Sequence, residues 1–313
     1  MNIFDIHCDT AFEIFRNGFD IENEYTSVSL SKLALYENKF QVFAFWSSDD
    51  KSSDECFYNF KYSSAYFDEQ AKKHNDKMVI CNSAYEIDNC KGRLGAVKCV
   101  EGARLLGGDL SRLSVLYQHG VRVLIPVWSG IDNIGGAWDT DDGLTDFGKE
   151  LIAECERLGI IVDVSHMSEK SFWDTVQTAK KPFIASHSNS RALCNTPRNL
   201  TDIQFRTVLQ SGGIVGMSLA AKHVSSKYFE KMPNSDDDFI GEVAGHILHY
   251  LELSGEKSIC LGCDFDGTEK TALLPDVSAM HLLYDRLIYE GVDEETVKDI
   301  FYGNAYRFFT DNL

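Results

Sequence analysis

The chain has 313 residues, 44% of them hydrophobic and 12% aromatic, which is enough to bury a substantial core. Its 48 acidic against 30 basic residues give a formal charge of −18, which excludes sequence-independent nucleic-acid binding, since that needs clustered Lys and Arg. No apolar run approaches the ~18 residues of a membrane span, and no repeat, charge run or Ser/Gly-rich linker divides the chain.

The first element is the apolar run Ile3–Ile6, read as a strand that ends in His7 and Asp9. Gln41–Trp46 is the second strand, and a helix is expected over Asp54–Lys73. Leu94–Val100 is the third strand, ending in Glu101, with a helix expected over Leu105–His119. Val121–Val127 is the fourth and ends at Trp128. The stretch Ser129–Gly143 that follows is rich in Gly, Asp and Asn and reads as a loop over the strand ends. Thr145–Leu158 shows the helical period, with Leu144, Phe147, Leu151, Ile152, Cys155 and Leu158 on one stripe and Gly159 as the stop.

Ile160–Ser165 is the fifth strand and ends in His166, after which Ser168 and Glu169 open a helix running to Thr178. Phe183–Ser186 ends in His187, and a helix is expected over Thr201–Gln210. Ile214–Leu219, a helix over Asp236–Leu253, and Ile259–Cys263 ending in Asp264 complete the alternation. Terminal helices fill 275–313. Several of these strand runs are unbroken rather than alternating, which suits strands buried on both faces in a parallel sheet.

Eight β-then-α alternations predict one α/β domain over residues 1–313, a (β/α)8 barrel of the TIM type, with an open doubly wound sheet as the alternative. No G-x-G-x-x-G or Walker pattern supports a nucleotide site. The nine cysteines are scattered, and only Cys260 and Cys263 have C-x-x-C spacing. Three apart on a strand, they face opposite sides, so they are expected as small buried hydrophobes. With no charged and apolar leader before the first strand, a reducing, cytoplasmic location is expected.

Ligand-type side chains stand at the ends of many strands, and a barrel gathers such ends on one face. His7 and Asp9, two apart, can point the same way; His166 and His187 each follow a Ser at the ends of consecutive strands, and neighbouring strands lie ~4.8 Å apart. With Glu101 this makes three imidazoles and two carboxylates, more than one catalytic zinc takes from protein. A bridging carboxylate would let the set hold two ions ~3.5–4 Å apart. Asp264 ends the eighth strand, beside the first in a closed barrel, where it can take a proton from a bridging water; Asp266 competes for that role. Arg198, after the sixth strand, is suited to clamp a substrate carboxylate. The other histidines, including His246 and His249, are expected in solvent-facing or capping roles.

Asp-Ile-His-Cys-Asp-Thr, Val-Glu-Gly-Ala, Ile-Val-Asp-Val-Ser-His-Met-Ser, Pro-Phe-Ile-Ala-Ser-His-Ser-Asn-Ser-Arg-Ala-Leu, Pro-Arg-Asn-Leu-Thr-Asp and Gly-Cys-Asp-Phe-Asp-Gly together resemble the renal, or membrane, dipeptidase family of zinc peptidases. The resemblance runs in order from residue 5 to about residue 267 and includes Gly303–Ala305. It implies an amidohydrolase-like barrel with two zinc ions per subunit, one on His7 and Asp9, one on His166 and His187, and Glu101 bridging. It further implies proton transfer by Asp264 and contact of Arg198 with the substrate carboxylate. The family cleaves dipeptides, tolerates D-residues on the C-terminal side, and in some members opens β-lactams.

One departure stands at Trp128, where mammalian members place a substrate-contacting histidine; Trp128 followed by Asn133 resembles the bacterial, cytoplasmic branch and makes both residues candidates for substrate binding. The reading is therefore a zinc dipeptidase that hydrolyses dipeptides, L,D-dipeptides among them, through a metal-bridging hydroxide. Its expected partner is a small peptide substrate, with no nucleic acid or membrane and a homodimer left open. The alternatives are an N-acyl amino acid deacylase or lactonase on the same site, or a non-catalytic binding homologue.

Overall fold

The computed structural model describes residues 1–313, and a parallel sheet organises them. Its strands are β1 (Ile3–Cys8), β2 (Lys39–Trp46), β3 (Met78–Ile80), β4 (Leu94–Glu101), β5 (Val121–Ile125), β6 (Ile161–Val162), β7 (Val215–Met217) and β8 (Ile259–Leu261). They run in the order β6-β5-β4-β2-β1-β8-β7, with β3 added beside the first half of β4. Segment 183–186 bridges the two outer strands, Ile184 to Asp163 and Ala185 to Val215, and so closes the ring. The expected barrel is the observed architecture.

Where strands are shorter than expected, side chains have taken the ladder's donors. Asp163 Oδ1 accepts from Ser165 N (2.9 Å) and Ser186 N (3.0 Å), so β6 stops at Val162 and 183–186 keeps only single bridges. Pro126 has no N–H and ends β5 before Val127. Strand β3 was not expected; only three residues long, it pairs Met78–Ile80 with Leu94–Ala96. The helix expected over Leu105–His119 is broken by Gly107 and Gly108, both left-handed (φ 60° and 80°), into a turn Ala103–Leu106 and a helix Ser111–Gln118. Helices Asp146–Leu158 and Glu169–Thr178 form as expected, capped by the Thr145 and Ser168 hydroxyls.

Helix Ser53–Lys73 packs outside the sheet, with Phe67 4.8 Å from Phe43 and Phe60 5.7 Å from Phe45, ring to ring. The opposite side chains, among them Phe4, Ile6, Val42, Val97, Val123, Ile184 and Cys260, form a buried cluster that the C-terminal helix Asn304–Asn312 completes with Phe308 and Phe309. This apolar plug fills one end of the barrel and leaves the other for polar groups. No helix is long and apolar enough to cross a membrane.

One irregularity in β1 decides where its ligand points. Asp5 pairs with Gln41 but Cys8 with Phe43, so three steps along β1 match two along β2. Such a bulge breaks the two-residue alternation. It lets His7 turn inward although Phe4 and Ile6 already do, and Asp5 Oδ1 accepts the amides of His7 (3.1 Å) and Cys263 (3.0 Å).

Candidate metal centre

The side chains at the strand ends converge. His7 closes on Asp9 (Nε2 to Oδ2, 3.4 Å), on Glu101 (Nε2 to Oε2, 3.8 Å) and on Asp264 (Nε2 to Oδ1, 3.8 Å). The other oxygen of Glu101, Oε1, lies 2.9 Å from His166 Nε2 and 3.7 Å from His187 Nε2. The two imidazoles meet Nε2 to Nε2 at 2.9 Å. Two triads, His7 with Glu101 and His187 and His7 with Asp9 and Asp264, hold one donor atom each within 4.8 Å of one another, all buried.

Hydrogen bonding sets what these rings offer. His166 Nδ1 lies 3.0 Å from the Trp128 carbonyl, which can only accept, so Nδ1 carries the proton and Nε2 presents a lone pair. His187 Nδ1 pairs with Ser186 Oγ at 2.7 Å. Neither ring nitrogen of buried His7 has a hydrogen-bond partner. A lone pair facing another ring nitrogen at 2.9 Å, next to unpartnered imidazole nitrogens and a carboxylate, is a donor set that divalent cations satisfy. The residues fit a metal.

The charges argue the same way. Burial disfavours the charged imidazole of His7, but Glu101, Asp9 and Asp264 outweigh it and lift the ring to about 10. Burial, then Asp9 and Glu101, push Asp264 up to about 8; burial and Glu101 push Asp9 up to about 6. Burial, reinforced by the positive charge of Arg198 and His7, holds His166 and His187 well below the ordinary imidazole value. Three carboxylates crowded without solvent are costly, and a divalent cation removes that cost.

The local backbone is bent to present these groups. His166 (φ 69°) and Asp264 (φ 62°) are left-handed without being glycine, a strain of ~1–3 kcal/mol each that tertiary contacts must outweigh. Beneath them, Asp5 ties β1 to the residue before Asp264, and Asp163 ties together the residues before His166 and His187. Sequence reasoning missed both carboxylates. The only available signal was an Asp two residues before His7 and three before His166.

A cavity of about 660 Å³ opens on the cluster, with Asp9, Glu101, His166 and Asp264 in its floor. Trp128 is half-buried in its wall, edge-on to Trp46 at 4.9 Å, and Arg198 lines it as well. Asn133 does not reach it. Asp132 Oδ1 accepts from Ile134 N and Gly135 N, turning the loop so that Asn133 is exposed and Trp138 takes the place on the wall. Asp266 also lines the cavity, but it accepts from Thr10 Oγ1 (2.6 Å) and Ser27 N (2.8 Å) and so ties loops together.

The remaining histidines separate. His246 is buried, accepting from Ser190 N (3.1 Å) and donating to the Val224 carbonyl (2.8 Å), a structural role in place of the expected exposed one. His249 pairs with Asp202 at 2.8 Å. His223 lines the cavity, which no strand-end pattern signals. Cys260 and Cys263 are buried and outside both triads, as expected.

Comparison with known proteins follows the same lines. The family model Membrane dipeptidase (Peptidase family M19) matches residues 1–312. The chain is 34% identical over 242 residues, 74% of its length and 88% of the relative's, to an uncharacterized protein in the pqqA 5' region of Klebsiella pneumoniae. Among solved structures it is similar to dipeptidase AC, a metallopeptidase of family M19, with TM-score 0.92 and 25% identity over 100% of this chain and 98% of that one. It also superposes, with TM-score 0.91 and 24% identity over 100% and 99%, on a Rhodobacter sphaeroides metallopeptidase liganded with a phosphinate mimic of the dipeptide L-Ala-D-Ala.

Proposed function

The chain belongs to the membrane dipeptidase family, peptidase family M19, and on that premise we propose that it is a zinc dipeptidase working with two ions. His7 and Asp9 hold one, His166 and His187 the other. Glu101 serves both, a reading supported by its oxygens, which face His7 on one side and the histidine pair on the other. Bound zinc supplies Lewis-acid polarisation of the scissile carbonyl and a water of lowered pKa. Asp264 takes up the proton released there and hands it to the departing amine, a role supported by its place beside His7 (Oδ1 to Nε2, 3.8 Å) on the cavity floor. The tryptophan walls exclude water and limit what fits.

The observation that carries the dipeptide reading is Arg198. It is buried, its guanidinium hydrogen-bonds no protein group, and no carboxylate lies within 4.0 Å of it. Such a fork, facing the same cavity as the ligand cluster, calls for a carboxylate from the substrate. Anchored there, the free C-terminus of a dipeptide sets its peptide bond over the metal ligands, so that short peptides are the ones aligned. L,D-dipeptides belong to the proposed class, in line with the L-Ala-D-Ala mimic held by the Rhodobacter sphaeroides metallopeptidase. The test is kcat/KM of the zinc-loaded protein on L,L- and L,D-dipeptides against their C-terminal amides. Free dipeptides should be hydrolysed and the amides poorly; equal turnover of both would overturn the Arg198 anchor.

A further inference from the structure

The cavity is sorted by charge. Asp9, Glu13, Asp264, Asp266 and Glu269 lie on the side of β1 and β8, whereas Thr196, Arg198, Lys222 and His223 come from the loops after segment 183–186 and β7. Lys222, like Arg198, has no carboxylate within 4.0 Å, whereas Lys227 pairs with Glu242 and Arg286 with Asp238 on the surface. Beside it, His223 Nδ1 is shut off from solvent and has no hydrogen-bond partner. Burial, then the positive charges of Arg198 and Lys222, hold this ring neutral, so it can donate or accept.

These groups are held as a unit. Asn199, next to Arg198, donates its side-chain amide to the carbonyls of His223 (2.8 Å) and Cys194 (2.9 Å). That bond fixes the loop after β7 against the loop carrying Arg198. Two cations and the His223 ring therefore line one end of the cavity. The fork of Arg198 satisfies a single carboxylate in two parallel bonds. Lys222 is then left without an anion, and the neutral His223 ring beside it without a hydrogen-bond partner at Nδ1.

We infer that Lys222 and His223 form, beside Arg198, a second anion subsite that takes the side-chain carboxylate of the substrate's C-terminal residue. The inference rests on the dipeptidase reading and narrows it: the favoured substrates are dipeptides ending in Asp or Glu. The amides Asn and Gln match them in shape but cannot supply the charge, so discrimination is electrostatic.

The experiment compares kcat/KM of the metal-loaded protein for Ala-Glu and Ala-Gln, with the C-terminal residue in both L and D forms. The expected Glu-over-Gln ratio is about tenfold to a hundredfold, the range of one charge-assisted hydrogen bond. In Lys222→Gln that ratio should fall by about tenfold, and Lys222→Glu should turn the preference toward Ala-Lys. Lys222 is exposed, and matching Tm values show that each variant is folded. Cleavage of Ala-Gln as fast as Ala-Glu, or a ratio unmoved in Lys222→Gln, overturns the subsite while leaving the dipeptidase reading intact. Cleavage of neither dipeptide overturns both.

Discussion

His166 and His187 meet ring to ring, Nε2 to Nε2, at 2.9 Å, and the Trp128 carbonyl fixes the His166 tautomer so that its lone pair points into that contact. One carboxylate underlies the arrangement. Asp163 Oδ1 accepts the amides of Ser165 and Ser186, the residues immediately before the two histidines. Groups that orient metal ligands typically change affinity by ~10–100-fold when removed. Asp163→Ala should therefore weaken zinc retention in that range while Glu101, His166 and His187 remain. Competition with a chelator measures it, and unchanged retention would show that the strand ends hold their positions without the carboxylate.

Asp264 and Asp266 should separate by readout. Asp264 faces His7 and makes few bonds that hold the fold, so Asp264→Asn should keep Tm and metal content and lower kcat by ~10²–10⁴. Asp266 ties Thr10 and Ser27 N to its own loop, so Asp266→Ala should lower Tm first. A large loss of Tm in the Asp264 variant would reverse the roles.

Trp128 is a wall residue whose carbonyl, not its indole, holds His166. Trp128→Phe should keep zinc and Tm yet change the ranking of small against bulky dipeptides. An unchanged ranking with a lower Tm would make it a packing residue, braced against Trp46.

The pH dependence of stability follows from the crowded charges. Asp264 is raised to about 8, Asp9 to about 6 and His7 to about 10, each above its ordinary value. Each binds its proton more tightly in the folded protein, so its stabilisation is complete below the ordinary value and is lost as pH rises through the folded one. The metal-free protein should lose Tm between about pH 5 and about pH 9, and the Tm gained from zinc should grow over that interval because metal displaces those protons. Melting curves with and without zinc decide it. A metal-free Tm that climbs with pH contradicts the assignment.

Much of this was legible in the residues because a parallel barrel strand is a buried apolar run and its end is abrupt. His7, Glu101, His166, His187 and Asp264 each stand at such an end, and the fold has only to gather them. Trp128 was legible for the same reason. Asn133 misled because Asp132, its neighbour, turns the loop through its own carboxylate, a contact that spacing does not reveal. Asp5 and Asp163 accept from backbone amides of other strands, and His223 lines the cavity from a short helix, Ala221–Val224, beyond a strand end; all three placements depend on tertiary neighbours. Strand β3 is too short to signal itself against the polar residues around it.

Titrating zinc into chelator-stripped protein while following hydrolysis of a free dipeptide tests the proposed two-zinc dipeptidase site. No turnover is expected without metal, and activity should rise to saturation at two equivalents, with His187→Ala holding one fewer ion and almost inactive. Full activity at one equivalent, two tightly held zincs in His187→Ala, or hydrolysis by the metal-free protein would contradict it.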